Sequence, residues 1–299
     1  MEYCKKRFNT EEETEKFVKA AELEFEKRLD NAVMQACSID NLRVIGLSGP
    51  TCSGKTTTAK KLLSEFSAQS RRIRTVSIDN FFKNVDKNKS ADEIDFDSID
   101  ALDFDEFKEC VDEIFAGKTV KIPEFDFVTG KRSGYTEFDP DEKDLYVFEG
   151  IQAVYPEISA LLRKVSSHSI FICVEQSINV GGTVFEPEEI RLMRRIVRDR
   201  NFRGATPEYT MFLWESVRRN EIKNILPYAD GCDIRIDSTM PYEINLLTQF
   251  IRPLLRSVPS DNKYKAQADA MYEKLEGIEP ISQKYIPDES LYYEFIKRI

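Results

Sequence analysis

Histidine is nearly missing from these 299 residues. His168 is the only one, and it opens an apolar run away from any motif, which suits a structural role. Paired cysteines are missing too. Cys4, Cys37, Cys52, Cys110, Cys173 and Cys232 are scattered, with neither zinc-knuckle nor Cys-x-x-Cys spacing, and read as free thiols in a reducing cytoplasm. Positive charge is in deficit: 43 basic against 53 acidic side chains give a net charge of -10. That argues against nucleic acid or an acidic membrane as the main partner, because phosphate surfaces are bound by basic fields. No run approaches the ~18 apolar residues a membrane helix needs. The start "MEYCKKRFNTEEE" lacks the apolar core of a secretory signal. A cytoplasmic protein is expected. Internal repeats and low-complexity segments are also missing.

What is present is an ordinary globular composition, 41% hydrophobic and 32% charged. The length suits one large α/β domain or two smaller ones. Residues 11–36 read as a charged amphipathic helix. "LRVIGLS" (42–48), "RIRTVSI" (72–78), "DLYVFEG" (144–150), "HSIFICV" (168–174) and "CDIRID" (232–237) read as five buried strands. Helices are expected at 55–69, 103–116, 187–201, 207–223 and 241–257, with a mostly helical tail from Ser260. "TVKIPEFDF" and "SGYTEFDP" around "VTGKR" predict a β-hairpin. Strands alternating with helices imply a parallel sheet covered on both faces.

"GPTCSGKTT" follows the first strand and opens a helix. Gly49-x-x-x-x-Gly54-Lys55-Thr56 matches the P-loop pattern without a mismatch. Glycines permit torsions that a Cβ forbids, and backbone N–H groups and the helix dipole together form an anion cradle. Gly49, Pro50, Thr51, Cys52, Ser53, Gly54, Lys55, Thr56 and Thr57 are therefore the candidate nucleotide cradle. Lys55 would lie between the β- and γ-phosphates and Thr56 would ligate Mg²⁺. The phosphate is that of ATP or GTP. No guanine-reading Asn-Lys-x-Asp accompanies the loop.

Two acids end buried strands near it. Asp79 follows "RTVSI", taken as the strand beside the P-loop strand, and can accept a proton or help hold Mg²⁺. Glu149 ends "YVFE". Farther on, "RLMRRIVRDRNFRG" sets Arg191, Arg194, Arg195 and Arg198 on one helical face, suited to an anionic group in transit. The plain alternative is a solvated face paired with Glu186, Glu188 and Glu189.

With "SIDNFF", "DFDSIDALD", "IPEFDFVTGKR", "FEGI" and "SVRRNEIKNI" in the same order, the chain resembles the uridine kinase and phosphoribulokinase group of P-loop kinases. It is most similar to a bacterial branch of uridine-kinase-like nucleoside kinases. The resemblance implies a P-loop α/β kinase domain over 41–257. That domain would be a mostly parallel five-stranded sheet between helices, with a hairpin near 119–138 and an arginine-rich helical lid near 186–206. A helical extension (1–40) and a tail docked on the core (258–299) would flank it. The implied activity is ATP- and Mg²⁺-dependent phosphorylation of a nucleoside 5′-hydroxyl. Asp79 would be the base, Asp97 the ribose ligand, and Phe82, Phe125 and Phe127 the walls of the acceptor pocket. Glu149 with Thr56 and Asp79 would serve the metal. Arg191 and Arg194 would reach substrate and phosphates, with Arg198 as further lid charge. Uridine–cytidine kinases carry a tyrosine where this chain has Phe125 and a base-reading histidine where it has Gly130, so loose selectivity for the base and stricter selectivity for ribose are expected, with Tyr209 and Arg132 the first candidate polar readers should uridine be strongly preferred. A kinase for another small hydroxylated metabolite, a nucleotide-binding regulator without turnover, and a homo-oligomer all stay open.

Overall fold

The structure is a computed structural model that describes residues 6–84, 98–126 and 129–298. Helix α1 (Glu11–Cys37) starts where the Thr10 hydroxyl accepts from Glu13 N at 3.1 Å, with three glutamates in its first turn. Strand β1 (Val44–Ser48) is buried throughout, as a central parallel strand must be. Helix α2 (Lys55–Ala68), strand β2 (Ile73–Ser77) and helix α3 (Phe104–Phe115) follow. The antiparallel hairpin β3 (Val120–Asp126) and β4 (Lys131–Phe138) turns through Gly130 at φ 65°. Then come β5 (Leu145–Glu149), the short helix α4 (Pro156–Leu162) and β6 (Ser167–Cys173). A small ribbon, β7 (Ile178–Val180) and β8 (Thr183–Phe185), leads into α5 (Pro187–Arg203) and α6 (Pro207–Asn220). A π turn, Glu221–Ile225, carries α6 into α7 (Leu226–Ala229), and β9 (Ile234–Asp237), α8 (Glu243–Arg256) and α9 (Lys265–Lys274) complete the order.

Five strands form one parallel sheet in the order β2-β5-β1-β6-β9. β2 is thus not beside the P-loop strand: β5 lies between them, with Glu149 in register with both Ser77 and Leu47. Alternate strand residues face opposite sides. Ile45, Leu47, Val147 and Ile172 join the core under α1, α2, α5, α6 and α8, while Val44, Tyr146, Phe148 and Phe171 join the core under α3, α4 and the hairpin. Helix α4 and the β7–β8 ribbon were not foreseen. The tail is less helical than expected, holding α9 and two short 3₁₀ turns, yet Leu291, Tyr292, Phe295 and Ile296 are buried in the first core. Among the described residues no helix is long and apolar enough to cross a membrane.

Candidate active site

The cradle forms at the C-terminal edge of β1. Gly54 precedes α2 at φ 102°, a torsion other L-residues rarely adopt. Cys52 holds φ 59°, and Gly49, Pro50, Cys52, Ser53 and Gly54 are buried, while Thr51, Lys55 and Thr57 are half-buried. Lys55 Nζ donates to the carbonyls of Gly49 at 2.8 Å and Pro50 at 3.3 Å. The Thr56 side chain, in the first turn of α2, is exposed.

Parallel pairing brings the ends of β2 and β5 to this edge. Gly150 lets the chain turn there, because a Cβ on it would stand 2.9 Å from Ile78 Cβ, next to Asp79. Burial raises the pKa of Asp79, with Lys55 pulling the other way. Glu149 is raised for the same reason, again opposed by Lys55, and Asp79 and Glu294 push it further. The Gln152 side chain approaches Asp79 and also pulls its pKa down. Two acids and the P-loop lysine thus share one electrostatic neighbourhood, the arrangement the strand ends implied.

The arginines require a correction. Helix α5 begins with a capping box between Glu186 and Glu189 and buries most of its length against α6 and α8. Arg191 is fully engaged by Glu221 at 2.6 and 2.7 Å, and Arg194 by Glu243 at 2.7 and 2.9 Å. Each also donates to a P-loop carbonyl, Arg191 to Thr51 O at 3.3 Å and Arg194 to Cys52 O at 3.1 Å, and Arg194 donates to Ser238 O at 2.8 Å as well. Both are as buried as core leucines, so as they stand they brace the cradle and do not reach over it. Burial alone would favour a neutral guanidinium, but Glu243 holds the pKa of Arg194 above its ordinary value. The solvated-face alternative fails too, since the partners are Glu221, Glu243 and Asp199 and not the glutamates of the first turn. Arg198 pairs with Asp199 at 3.0 Å and approaches Thr51 Oγ1 at 3.4 Å.

On the acceptor side, Phe82 and Phe125 meet edge to face with centroids 5.6 Å apart, and both are buried in the second core. Arg132 is no reader of a base. It donates to the carbonyls of Phe82 at 3.0 Å and Phe81 at 3.3 Å and pairs with Glu106 at 2.5 Å, which ties the hairpin to the segment after β2. Tyr209 is 45% exposed at the start of α6, beside Phe212. Asp97 and Phe127 lie outside the described residues.

Three kinds of residue were missed. Glu221 and Glu243 complete the arginine pairs from 30 and 49 residues away, a separation no local pattern reports. Gln152, in the 3₁₀ turn after Glu149, is fully buried, and its side chain faces Asp79, whose pKa it lowers. A polar residue three places after Glu149 in an apolar stretch was the available signal. Glu294, from the tail, accepts from Thr57 N at 2.7 Å.

The sequence pattern of the phosphoribulokinase / uridine kinase family matches residues 44–244, two thirds of the chain. The chain belongs to that family. Uridine-cytidine kinase A of Dictyostelium discoideum is 30% identical over 256 residues, 85% of this chain and 47% of that protein. Uridine kinase-like protein 4 of Arabidopsis thaliana is 30% identical over 158 residues, 52% of this chain and 30% of that one. The chain thus spans less than half the length of these relatives. A solved structure described as a possible uridine kinase from Bacillus stearothermophilus aligns at TM-score 0.49 and 14% identity, covering 72% of this chain and all of that one. The matched family is one of kinases.

Proposed function

We propose that the chain transfers the γ-phosphoryl group of ATP to the 5′-hydroxyl of a nucleoside, as in uridine–cytidine kinases. The observation that carries this reading is the pair of half-buried strand-end carboxyls, Asp79 and Glu149, both acted on by the P-loop lysine. The cradle amides and Lys55 bind the phosphates. Asp79 takes the acceptor hydroxyl's proton as that oxygen bonds to the γ-phosphorus and the bond to the β–γ bridging oxygen breaks, releasing ADP. Arg198, beside Thr51 of the cradle, would neutralise charge on the transferred group. Asp97 and Phe127 keep the ribose and base contacts that the resemblance implies, and Phe82 and Phe125 shape the wall behind them.

Magnesium suits the donor set. Hard oxygen ligands are what Mg²⁺ takes, and it is held by one or two carboxylates plus substrate phosphates more often than by an all-protein cage. Thr56, Glu149 and Asp79 offer such oxygens. When bound, the ion would neutralise phosphate charge.

ADP release in the presence of uridine, cytidine, a purine ribonucleoside, deoxyuridine and a set of non-nucleoside polyols tests the reading. Turnover with ribonucleosides supports it. Turnover with a polyol alone would make the chain a kinase for another small hydroxylated metabolite, and ATP binding without any turnover would make it a regulator.

A further inference from the structure

The Thr57 amide is the third N–H of α2, and the first four N–H groups of a helix have no carbonyl partner within it. In a P-loop those groups are the phosphate ligands. Here one oxygen takes one such N–H and the hydroxyl of the same residue: Glu294 Oε1 accepts from Thr57 N at 2.7 Å and from Thr57 Oγ1 at 2.5 Å. A carboxylate oxygen seated this way does what one oxygen of a phosphate does. It arrives from 237 residues along the chain.

The segment that delivers it is anchored independently of Glu294. The 3₁₀ turn Leu291–Glu294 is capped by Ser290, whose hydroxyl also donates to Glu22 of α1 at 2.6 Å. Tyr292 and Phe295 are fully buried, with the Arg194 guanidinium 5.7 and 5.4 Å from their ring centres, and Asn201 of α5 donates to Phe295 O at 2.9 Å. Glu294 itself is half-buried, and its charge is felt by Glu149 on one side and Arg198 on the other. It therefore stands among the same groups to which the phosphate roles fall.

We infer that Glu294 is a donor-site residue whose carboxylate competes with a nucleotide phosphate for the two hydrogen-bond donors of Thr57, so that the C-terminal segment sets the affinity for the phosphate donor. The inference rests on the donor site proposed above. Binding requires only that the Glu294 side chain leave Thr57, since Tyr292 and Phe295 keep the segment in place. The competition applies to any ligand that brings a phosphate to this point and to none that lacks one.

The test is titration calorimetry of ATP, ADP and adenosine against the full chain and two variants, Glu294→Ala and Glu294→Gln, with melting temperatures measured alongside. Glu294→Ala should bind ATP and ADP about tenfold more tightly. Glu294→Gln should gain less, because its amide oxygen can still accept from Thr57 although the charge is gone. Adenosine affinity should not change. Equal or weaker ATP binding in a Glu294→Ala variant that melts normally overturns the inference and leaves the donor site standing. If that variant melts early, Glu294→Gln decides by the same criterion. A wild-type chain and variants that all bind ATP weakly, with no difference from adenosine, overturn the donor-site reading and the inference with it.

Discussion

Asp79 and Glu149 are carboxyls that the fold makes reluctant to ionise, and the consequences have definite signs. For a carboxyl whose folded pKa is raised, the favourable contribution is full below the unfolded pKa and is lost as pH rises through the folded one. At neutral pH the ionised Asp79 is therefore a net cost to the ligand-free fold, caused by burial and only partly offset by Lys55. Asp79→Asn should raise the melting temperature near pH 7.5, and an unchanged or lower one would contradict this. A base works unprotonated, so the acid limb of kcat/KM, which reports the free enzyme, should lie above the ordinary aspartate value of about 3.9. A pH profile of kcat/KM checks it. Glu149→Gln should leave ATP affinity nearly intact while raising the Mg²⁺ concentration needed for half-maximal rate. A variant with unaltered Mg²⁺ dependence removes Glu149 from the metal site.

Helix α5 carries its arginines inward, and its prediction concerns stability before chemistry. Removing one partner of a buried ion pair leaves the other charged and unpaired, at a cost of about 3–5 kcal/mol. Arg194→Ala should destabilise the chain by that order in chemical denaturation, and adding Glu243→Gln should recover part of the loss. Loss of activity with full stability would instead mean that Arg194 acts on substrate. Glu221, at the start of the π turn, has the opposite sign to Asp79. Burial would raise it, but the hydrogen bonds and charge of Arg191, aided by Arg218, win and depress it. Its contribution is thus present above the unfolded value near 4.5 and lost as pH falls through the lower folded value. Acid unfolding of wild type should be steeper below pH ~4.5 than that of Glu221→Gln. Gly150 belongs at this scale too. An alanine there would press on Ile78 at 2.9 Å, so Gly150→Ala should lower kcat by shifting the strand end that carries Asp79.

At the scale of the molecule, the legible parts are those written locally. The cradle, five strands and most helices are stated by residues adjacent in the chain, which is why Gly49 through Thr57 fall where the motif implied. The order of the strands is not local: β5 enters between β1 and β2 because its apolar faces complete both cores, and nothing within "DLYVFEG" announces that. The arginine face was misread for the same reason. The arginines look aimed at a ligand until Glu221 and Glu243 arrive from other elements to pair with Arg191 and Arg194, while Asp199 of the same helix takes Arg195, Arg198 and Arg203. Glu294 on Thr57 shows the converse, a site residue with no signature of its own. The central claim is that Asp79 is the base above a P-loop donor site. The most direct test sets kcat with a ribonucleoside beside the ATP dissociation constant, for wild type and Asp79→Asn. The account predicts a fall in kcat of about 10²–10⁴-fold, the usual worth of a general base, with ATP affinity changed less than about threefold, because the base acts on the acceptor and not on the donor. An Asp79→Asn enzyme that keeps most of its kcat would contradict it.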